Sequence, residues 1–421
     1  MGAICWWIFF VIGLLVTGAS VVEENEDGTS ENDIGLEKAD DCFRIDDEDA
    51  DLTVPQLITK YGYKMENHVV ETEDGYLLTM FRILPRQAPI SKKFPVLIIH
   101  GLLGSSADFV ISGPNNSLAY ILADNGYDVW LGNVRGSRYS KDHSSMSTDS
   151  KEYWDFTWHE MGYYDSPAMI DRVLNTTGSK KLHFIGHSQG TTTYFAMSCS
   201  RPDYNGKVVL MTALSPAVIL KRIRSPVLRL MLDIADPLKE VLDTLNVYEF
   251  LPYNANNIRI ARSLCPHEQK NNICSQLVGQ ITGPHPEMYD QKVALAYMGH
   301  SPAGASTKQM MHFVQLVRSG LFRQYDYGKK GNQQSYNDWK PPNYNLSVSS
   351  APVQIFYGLN DWMVHPRDVQ QFAKMLPQLI SAVQIPDKKF NHLDFIMAKN
   401  VRSQVYDKLM AVLEQYNSFN N

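Results

Sequence analysis

Short, nearly continuous apolar runs separated by stretches of helical spacing constrain this chain more than any other feature. The runs are Phe94 to Ile99, Tyr127 to Leu131, Leu182 to Ile185, Lys207 to Leu214, Val353 to Tyr357 and Ala382 to Ile385. A strand that is apolar on both faces must be covered on both faces, which is the condition of a buried parallel strand. Between the runs, Ser117 to Asp124, Pro167 to Leu174 and Thr191 to Cys199 carry helical spacing. The alternation predicts a mostly parallel sheet with helices on both sides. Ahead of it, HVVETEDGYLLTMFRIL starts at His68 as two β-rich runs around Asp74 and Gly75, a pair that favours a tight hairpin. A last helix from Val401 to about Tyr416 sets Val401, Val405, Leu409 and Val412 on one stripe.

The alternation stops between Pro216 and Asn345, where apolar residues follow a helical rhythm. This region, 216–345, reads as an inserted helical domain that divides the core into 52–215 and 346–421. Its first part, LKRIRSPVLRLMLDIADPLKEVLDTL, carries Val227, Leu228, Met231, Ile234, Leu238, Val241, Leu242 and Leu245. Pro226 and Pro237 are expected to break it into short helices. Two readings apply to these apolar residues: ordinary helix core, or a lid whose apolar face meets lipid.

The N-terminus is organised by charge. Ala3 to Val16 is an uninterrupted apolar-rich stretch followed by the small residues Gly18, Ala19 and Ser20, so 1–20 reads as a secretory signal peptide, too short for a membrane span. Residues 21–51 hold fourteen acidic side chains against Lys38 and Arg44, and read as a solvated, flexible acidic arm. From Leu52 onward 37 basic and 31 acidic side chains remain, without a Lys/Arg block, which argues against a nucleic-acid partner. No later segment is long and apolar enough to span a membrane. Secretion permits disulfides, and Cys265 and Cys274 enclose the polar loop PHEQKNNI, so a bridge is expected there. Cys199 reads as a buried free thiol, and Cys42 has no assigned partner. Asn115, Asn175 and Asn345 begin Asn-X-Ser/Thr triplets and are candidate glycosylation sites.

The chemistry is concentrated at GHSQG, Gly186 to Gly190, a GxSxG pentapeptide preceded by a strand run, LHFI, and followed by a helical one, TTTYFAMSC. That is the strand, sharp turn and helix that expose a nucleophilic serine, here Ser188. A serine hydroxyl needs a base within reach, and the base needs a carboxylate to orient it. Asp361 follows the strand VQIFYG, and His392 follows the strand AVQIP in FNHLDF. Both sit past the C-terminal ends of strands, where open α/β sheets assemble their sites. The developing oxyanion needs donors, and FPVLIIH opens into Gly101, Leu102, Leu103 and Gly104. The backbone N–H groups of Leu102 and Gln189 are assigned to it, and His100 is taken as structural. His183 and His187 share a four-residue spacing, but on a strand and its turn, so no metal site is expected. No cofactor motif occurs.

HGLLGSSADF, NNSLAYILADNGYDVWLGNVRG, YDSPAMID, GHSQGTT, NDW and NHLDF, in that order from about Leu52 to Tyr416, together resemble the acid lipases of the α/β-hydrolase fold, the gastric and lysosomal lipases and their insect relatives. The resemblance implies a mostly parallel eight-stranded sheet flanked by helices, and a helical cap before the catalytic acid. It also implies hydrolysis of triacylglycerol or steryl ester at an oil-water or membrane interface, in a secreted or lysosomal setting. Ser188, Asp361 and His392 would form the triad, Leu102 and Gln189 the oxyanion hole, and Cys265 and Cys274 a cap disulfide. Neither cofactor nor metal is implied. Three features depart from the usual pattern: the acidic arm is long, Leu359 stands where a smaller residue is usual, and His365 replaces a more typical Asp or Asn. Two other readings of the same fold are a catalytically silent lipid-binding or storage relative, and a peptidase.

Overall fold

The computed structural model describes residues 48–86, 92–263 and 273–418. The signal-peptide reading, nearly all of the acidic arm, Cys42, Cys265 and the side chain of Cys274 fall outside the described residues.

A single large sheet is built from β1 (Lys64–Glu71), β2 (Tyr76–Leu84), β3 (Val96–Ile99), β4 (Val129–Gly132), β5 (Asp142–His143), β6 (Leu182–His187), β7 (Val208–Leu214), β10 (Val353–Tyr357) and β11 (Leu379–Gln384). Eight strands run in the order β1-β2-β4-β3-β6-β7-β10-β11, and the two-residue β5 adds a ninth beside β2. β1 and β2 form the hairpin expected at Asp74 and Gly75, with the Gly75 N–H donating to the Thr72 carbonyl at 2.9 Å. From β4 through β11 every pairing is parallel.

The apolar runs are buried on both faces for a visible reason. Leu97 and Ile99 of β3 enter one core with Leu182 and Phe184 of β6, while Val96 and Ile98 enter the opposite core with Ile185. Helices α1 (Val54–Lys60), α2 (Leu118–Asp124), α3 (Ser166–Thr177) and α4 (Gln189–Ser200) lie among the elements that cover these faces. The last run differs from expectation. β11 begins at Leu379 rather than near Ala382 and alternates half-buried with exposed residues, because it is an edge strand.

Between β7 and β10 the chain forms α5 (Pro226–Thr244), α6 (Ala255–Ser263), α7 (Ile273–Thr282), α8 (Gln291–His300), α9 (Thr307–Ser319) and α10 (Gly328–Tyr336). A two-strand ribbon, β8 (Glu249–Phe250) with β9 (Ala305–Ser306), joins them. The expectation that Pro237 ends a helix is corrected: α5 runs unbroken through it, and only Pro226 marks a boundary, at the helix start. Asp233, whose carbonyl loses its partner at Pro237, lies on the exposed side, where water serves it. Arg318 of α9 reinforces that turn, donating to the Leu232 carbonyl at 2.7 Å and pairing with Asp236 at 2.8 Å.

After β10 come α11 (Pro366–Ala373) and, at the C-terminus, a wide turn over Arg402–Tyr406 that leads into α12 (Asp407–Ser418). The expected stripe shifts by one residue there. Val401, Val405 and Leu409 are buried, but Leu413 takes the core position and Val412 is only half-buried. The wide turn delays the helical phase, which keeps a spacing of four on the buried face.

Candidate active site

β6 delivers Ser188 into a backbone conformation that few L-residues adopt, φ 52° and ψ −117°, before α4 begins at Gln189. The turn is tight because both flanking glycines are pressed against backbone. A methyl at Gly190 would sit 2.3 Å from the Ile99 carbonyl oxygen, and one at Gly186 would sit 2.7 Å from the Gly190 carbonyl carbon. Hydrogen bonds hold the strain. Ser188 N–H donates to Leu214 O at 2.9 Å, and the Thr191 hydroxyl donates to Ser188 O at 2.5 Å.

The two other expected residues meet it. His392 Nε2 lies 2.8 Å from Ser188 Oγ, and His392 Nδ1 lies 2.8 Å from Asp361 Oδ2. Ser188, His392 and Asp361 are 6%, 3% and 1% exposed, so the chain of hydrogen bonds is shielded from water. The loops that carry Asp361 and His392 pack backbone to backbone, since a methyl at Gly358 would come within 2.2 Å of the Phe390 carbonyl oxygen. Asp361 is fixed from its other side, where Oδ1 accepts the N–H groups of Met363 at 3.0 Å and Val364 at 2.7 Å.

Several residues to which the sequence assigned no part in the site complete the frame. Ser215, which follows β7, donates from Oγ to Asp361 Oδ2 at 2.5 Å and lies 3.0 Å from His392 Nδ1. His187, dismissed above as a metal ligand, donates from Nε2 to the His392 carbonyl at 3.1 Å. Burial, with repulsion from His392 and His100, holds the His187 imidazole well below its ordinary pKa, so it stays neutral. The stretch 282–285 threads between the two loops. Trp362 N–H donates to Thr282 O at 3.1 Å, the Asn391 amide to Gly283 O at 2.6 Å, and the Asn360 amide to Pro284 O at 2.9 Å. His285 Nδ1 then pairs with buried Asp394 at 2.7 Å, two residues beyond His392.

The loop after β3 lies against Ser188, with the position of a Gly101 methyl only 3.2 Å from its Cβ. His100 shapes this loop. Its Nδ1 donates to Gly101 O at 2.8 Å and its Nε2 accepts from Val134 N–H at 3.3 Å, which fixes the neutral tautomer, and burial pulls its pKa down to about 4. Gln189 is the first residue of α4, so its N–H has no acceptor within the helix. Its side chain is held from the helical insertion, where Gln309 of α9 donates to Gln189 Oε1. Leu103 adopts φ 60°, and its carbonyl accepts Ala303 N–H at 2.8 Å while its side chain packs with Leu242, Val247 and Phe250.

Other expected residues stand apart from this cluster. Asn115, Asn175 and Asn345 are all exposed, and Cys199 is a free thiol that is half-buried rather than fully enclosed. His183 bonds Asn417 at 3.1 Å. His365, the unusual neighbour of Asp361, caps α11 by accepting Arg367 N–H at 3.1 Å, a job that Asp or Asn also performs.

Comparison with known proteins agrees with this architecture. Residues 54–113 match the model of a partial α/β-hydrolase lipase region, and residues 95–244 match that of the α/β hydrolase fold. Lipase 1 of Drosophila melanogaster is 44% identical over 373 residues, covering 87% of this chain and 80% of that protein. Human gastric triacylglycerol lipase is 36% identical over 373 residues, covering 86% and 91%. Among solved structures, the carboxylesterase CesB of Bacillus subtilis superposes with a TM-score of 0.50 at 13% identity, covering 85% of this chain and 95% of that one.

Proposed function

The chain belongs to the lipase family of the α/β-hydrolase fold and is a lipid carboxylester hydrolase, and from that premise we propose that Ser188, His392 and Asp361 are its catalytic triad. The substrates are the carboxylic esters of neutral lipids, triacylglycerol or steryl ester, met at an oil-water or membrane interface. The observation that carries this reading is the unbroken relay from a strained serine through one imidazole to one buried carboxylate.

Ser188 Oγ attacks the ester carbonyl while His392 Nε2 takes its proton. Asp361, facing Nδ1, holds the imidazole in the productive tautomer and stabilises the imidazolium that forms. The tetrahedral oxyanion is received by the N–H groups of Leu102 and Gln189, each worth about 10²- to 10³-fold in rate. His392 then returns the proton to the leaving alcohol, and a water molecule repeats the cycle on the acyl-enzyme. Every step uses groups of the polypeptide.

The insertion 216–345 acts as cap and lid over this centre. Val241 of α5 and Leu245, which caps it, are each 50% exposed while Leu242 is buried, so the end of the helix offers apolar surface outward as well as inward. Of the two readings of that helix, this favours the lid. A secreted or lysosomal location follows from the leader. It fits the exposed glycosylation triplets at Asn115, Asn175 and Asn345, and an expected bridge between Cys265 and Cys274. Among the described residues no helix is long and apolar enough to cross a membrane.

Ser188→Ala is expected to lower turnover of a soluble ester by about 10⁵- to 10⁶-fold with an unchanged thermal melt. Activity within tenfold of the parent would move the nucleophile elsewhere. Profiling triolein, a cholesteryl ester and a peptide amide substrate across pH 4 to 8 ranks the substrate classes.

A further inference from the structure

Ser215 touches more of the reaction centre than a strand-end residue needs to. Its hydroxyl lies 2.5 Å from Asp361 Oδ2 and 3.0 Å from His392 Nδ1, while those two atoms are 2.8 Å apart, so the three form a closed triangle. The residue before it, Leu214, supplies the carbonyl that accepts Ser188 N–H, and Ser215 N–H is itself anchored on Phe356 O at 2.9 Å. One turn at the end of β7 therefore reaches all three members of the proposed triad.

The proton count assigns the direction of each bond. His392 Nδ1–H and the Ser215 hydroxyl each carry one hydrogen, and both point at the same carboxylate oxygen. With two backbone N–H groups on Oδ1, Asp361 accepts four hydrogen bonds and cannot rotate about its side chain. Removing the hydroxyl leaves Oδ2 held by the imidazole alone, the group whose orientation it is meant to fix.

The backbone gives a second, independent reason to look for a role. Ser215 sits at φ 48°, a left-handed conformation that glycine adopts freely and serine does not, and it is fully buried. A glycine would relax the turn, so what the serine adds at this position is its side chain.

We propose that Ser215 is a positioning residue for ester hydrolysis: its buried hydroxyl locks the Asp361 carboxylate in line with His392, and so aims the imidazole at Ser188. The inference rests on the triad reading above and deepens it.

The test compares Ser215→Gly and Ser215→Ala with the parent enzyme, using a soluble short-chain ester, a thermal melt and the rate of labelling by an active-site phosphonate. Ser215→Gly relieves the backbone, so it should melt at or above the parent temperature. Both variants should lose about 10- to 100-fold in kcat and in labelling rate, with KM changed less than about twofold. In an Asp361→Asn background, Ser215→Gly should cost less than about twofold more, because the group it acts through has already been altered. A folded Ser215→Gly enzyme with kcat within twofold of the parent overturns the proposal and leaves the triad reading intact. So does a full additional loss in the Asp361→Asn background. An Asp361→Asn enzyme of undiminished activity overturns the triad reading and this proposal together.

Discussion

Gly186 and Gly190 flank Ser188 with no room for a methyl group, and the atoms in the way are backbone that cannot step aside. Gly190→Ala is therefore expected to destabilise the fold by about 3 kcal/mol and to abolish phosphonate labelling of Ser188, as read by a melt and intact mass. Near-parental labelling would show that the turn tolerates a Cβ. At this scale the sequence is informative wherever chemistry and local backbone demand the same residue. Ser188, Gly186 and Gly190 announce themselves because a strand, a pentapeptide and a helix are contiguous. Asp361 and His392 are legible because each follows a strand in chain order. Ser215 is not, because its partners lie 146 and 177 residues away and a serine after an apolar strand has no local signature. Gln309 and His285 escape for the same reason, bonding across 120 and 109 residues.

Two elements respond to solution conditions in ways that can be measured. The stretch 282–285 ends in His285, which is 2% exposed and paired with Asp394. Burial pulls the imidazole down, but the bond to Asp394 and the charges of Asp394, Asp387 and Glu287 outweigh it and hold the pKa above its ordinary value. Lys389 pairs with Glu287 at the edge of this group. A raised histidine pKa contributes stability that is complete below about pH 6.5 and fades as pH climbs through the folded value. Asp394 is also raised, by burial only partly offset by His285, but its contribution starts to fade from about pH 4, so the fall above pH 6 is assigned to His285. Thermal stability should therefore fall from pH 6 to pH 8. His285→Ala should flatten that slope and cost about 3 kcal/mol at pH 5.5; an unaltered slope would assign it to other groups. At the C-terminal end of α5, Val241→Asp with Leu245→Asp, the latter at the residue that caps the helix, changes only half-exposed positions. Activity on emulsified triolein should fall about tenfold while hydrolysis of a soluble ester stays within twofold. Equal losses on both substrates would remove α5 from interfacial contact. Element identity along the sheet was readable from two-sided burial. The unbroken α5 was not, since the rule that proline ends a helix yields where the orphaned carbonyl faces water.

Across the whole molecule the helical insertion is fastened to the core at many places, three of them beside the proposed triad. Ala303 N–H bonds the Leu103 carbonyl, Gln309 bonds Gln189, and 282–285 bonds the loops of Asp361 and His392. Ties of this kind couple the two regions thermodynamically, so calorimetry at pH 6 should show one cooperative transition. Two resolved peaks would mean that the insertion melts alone. Such coupling could not be read in advance, because each strand-end motif is compatible with an insertion merely resting on the sheet. It also governs how enzymes of this type can be recombined. Transplanting 216–345 from a relative to change acyl preference would import a foreign residue opposite Asp394 and a foreign backbone beside Asn360 and Asn391. A chimaera without a cationic or hydrogen-bonding counterpart at 285 would inherit a stranded carboxylate two residues from His392. Successful domain grafts will have to exchange both sides of that seam.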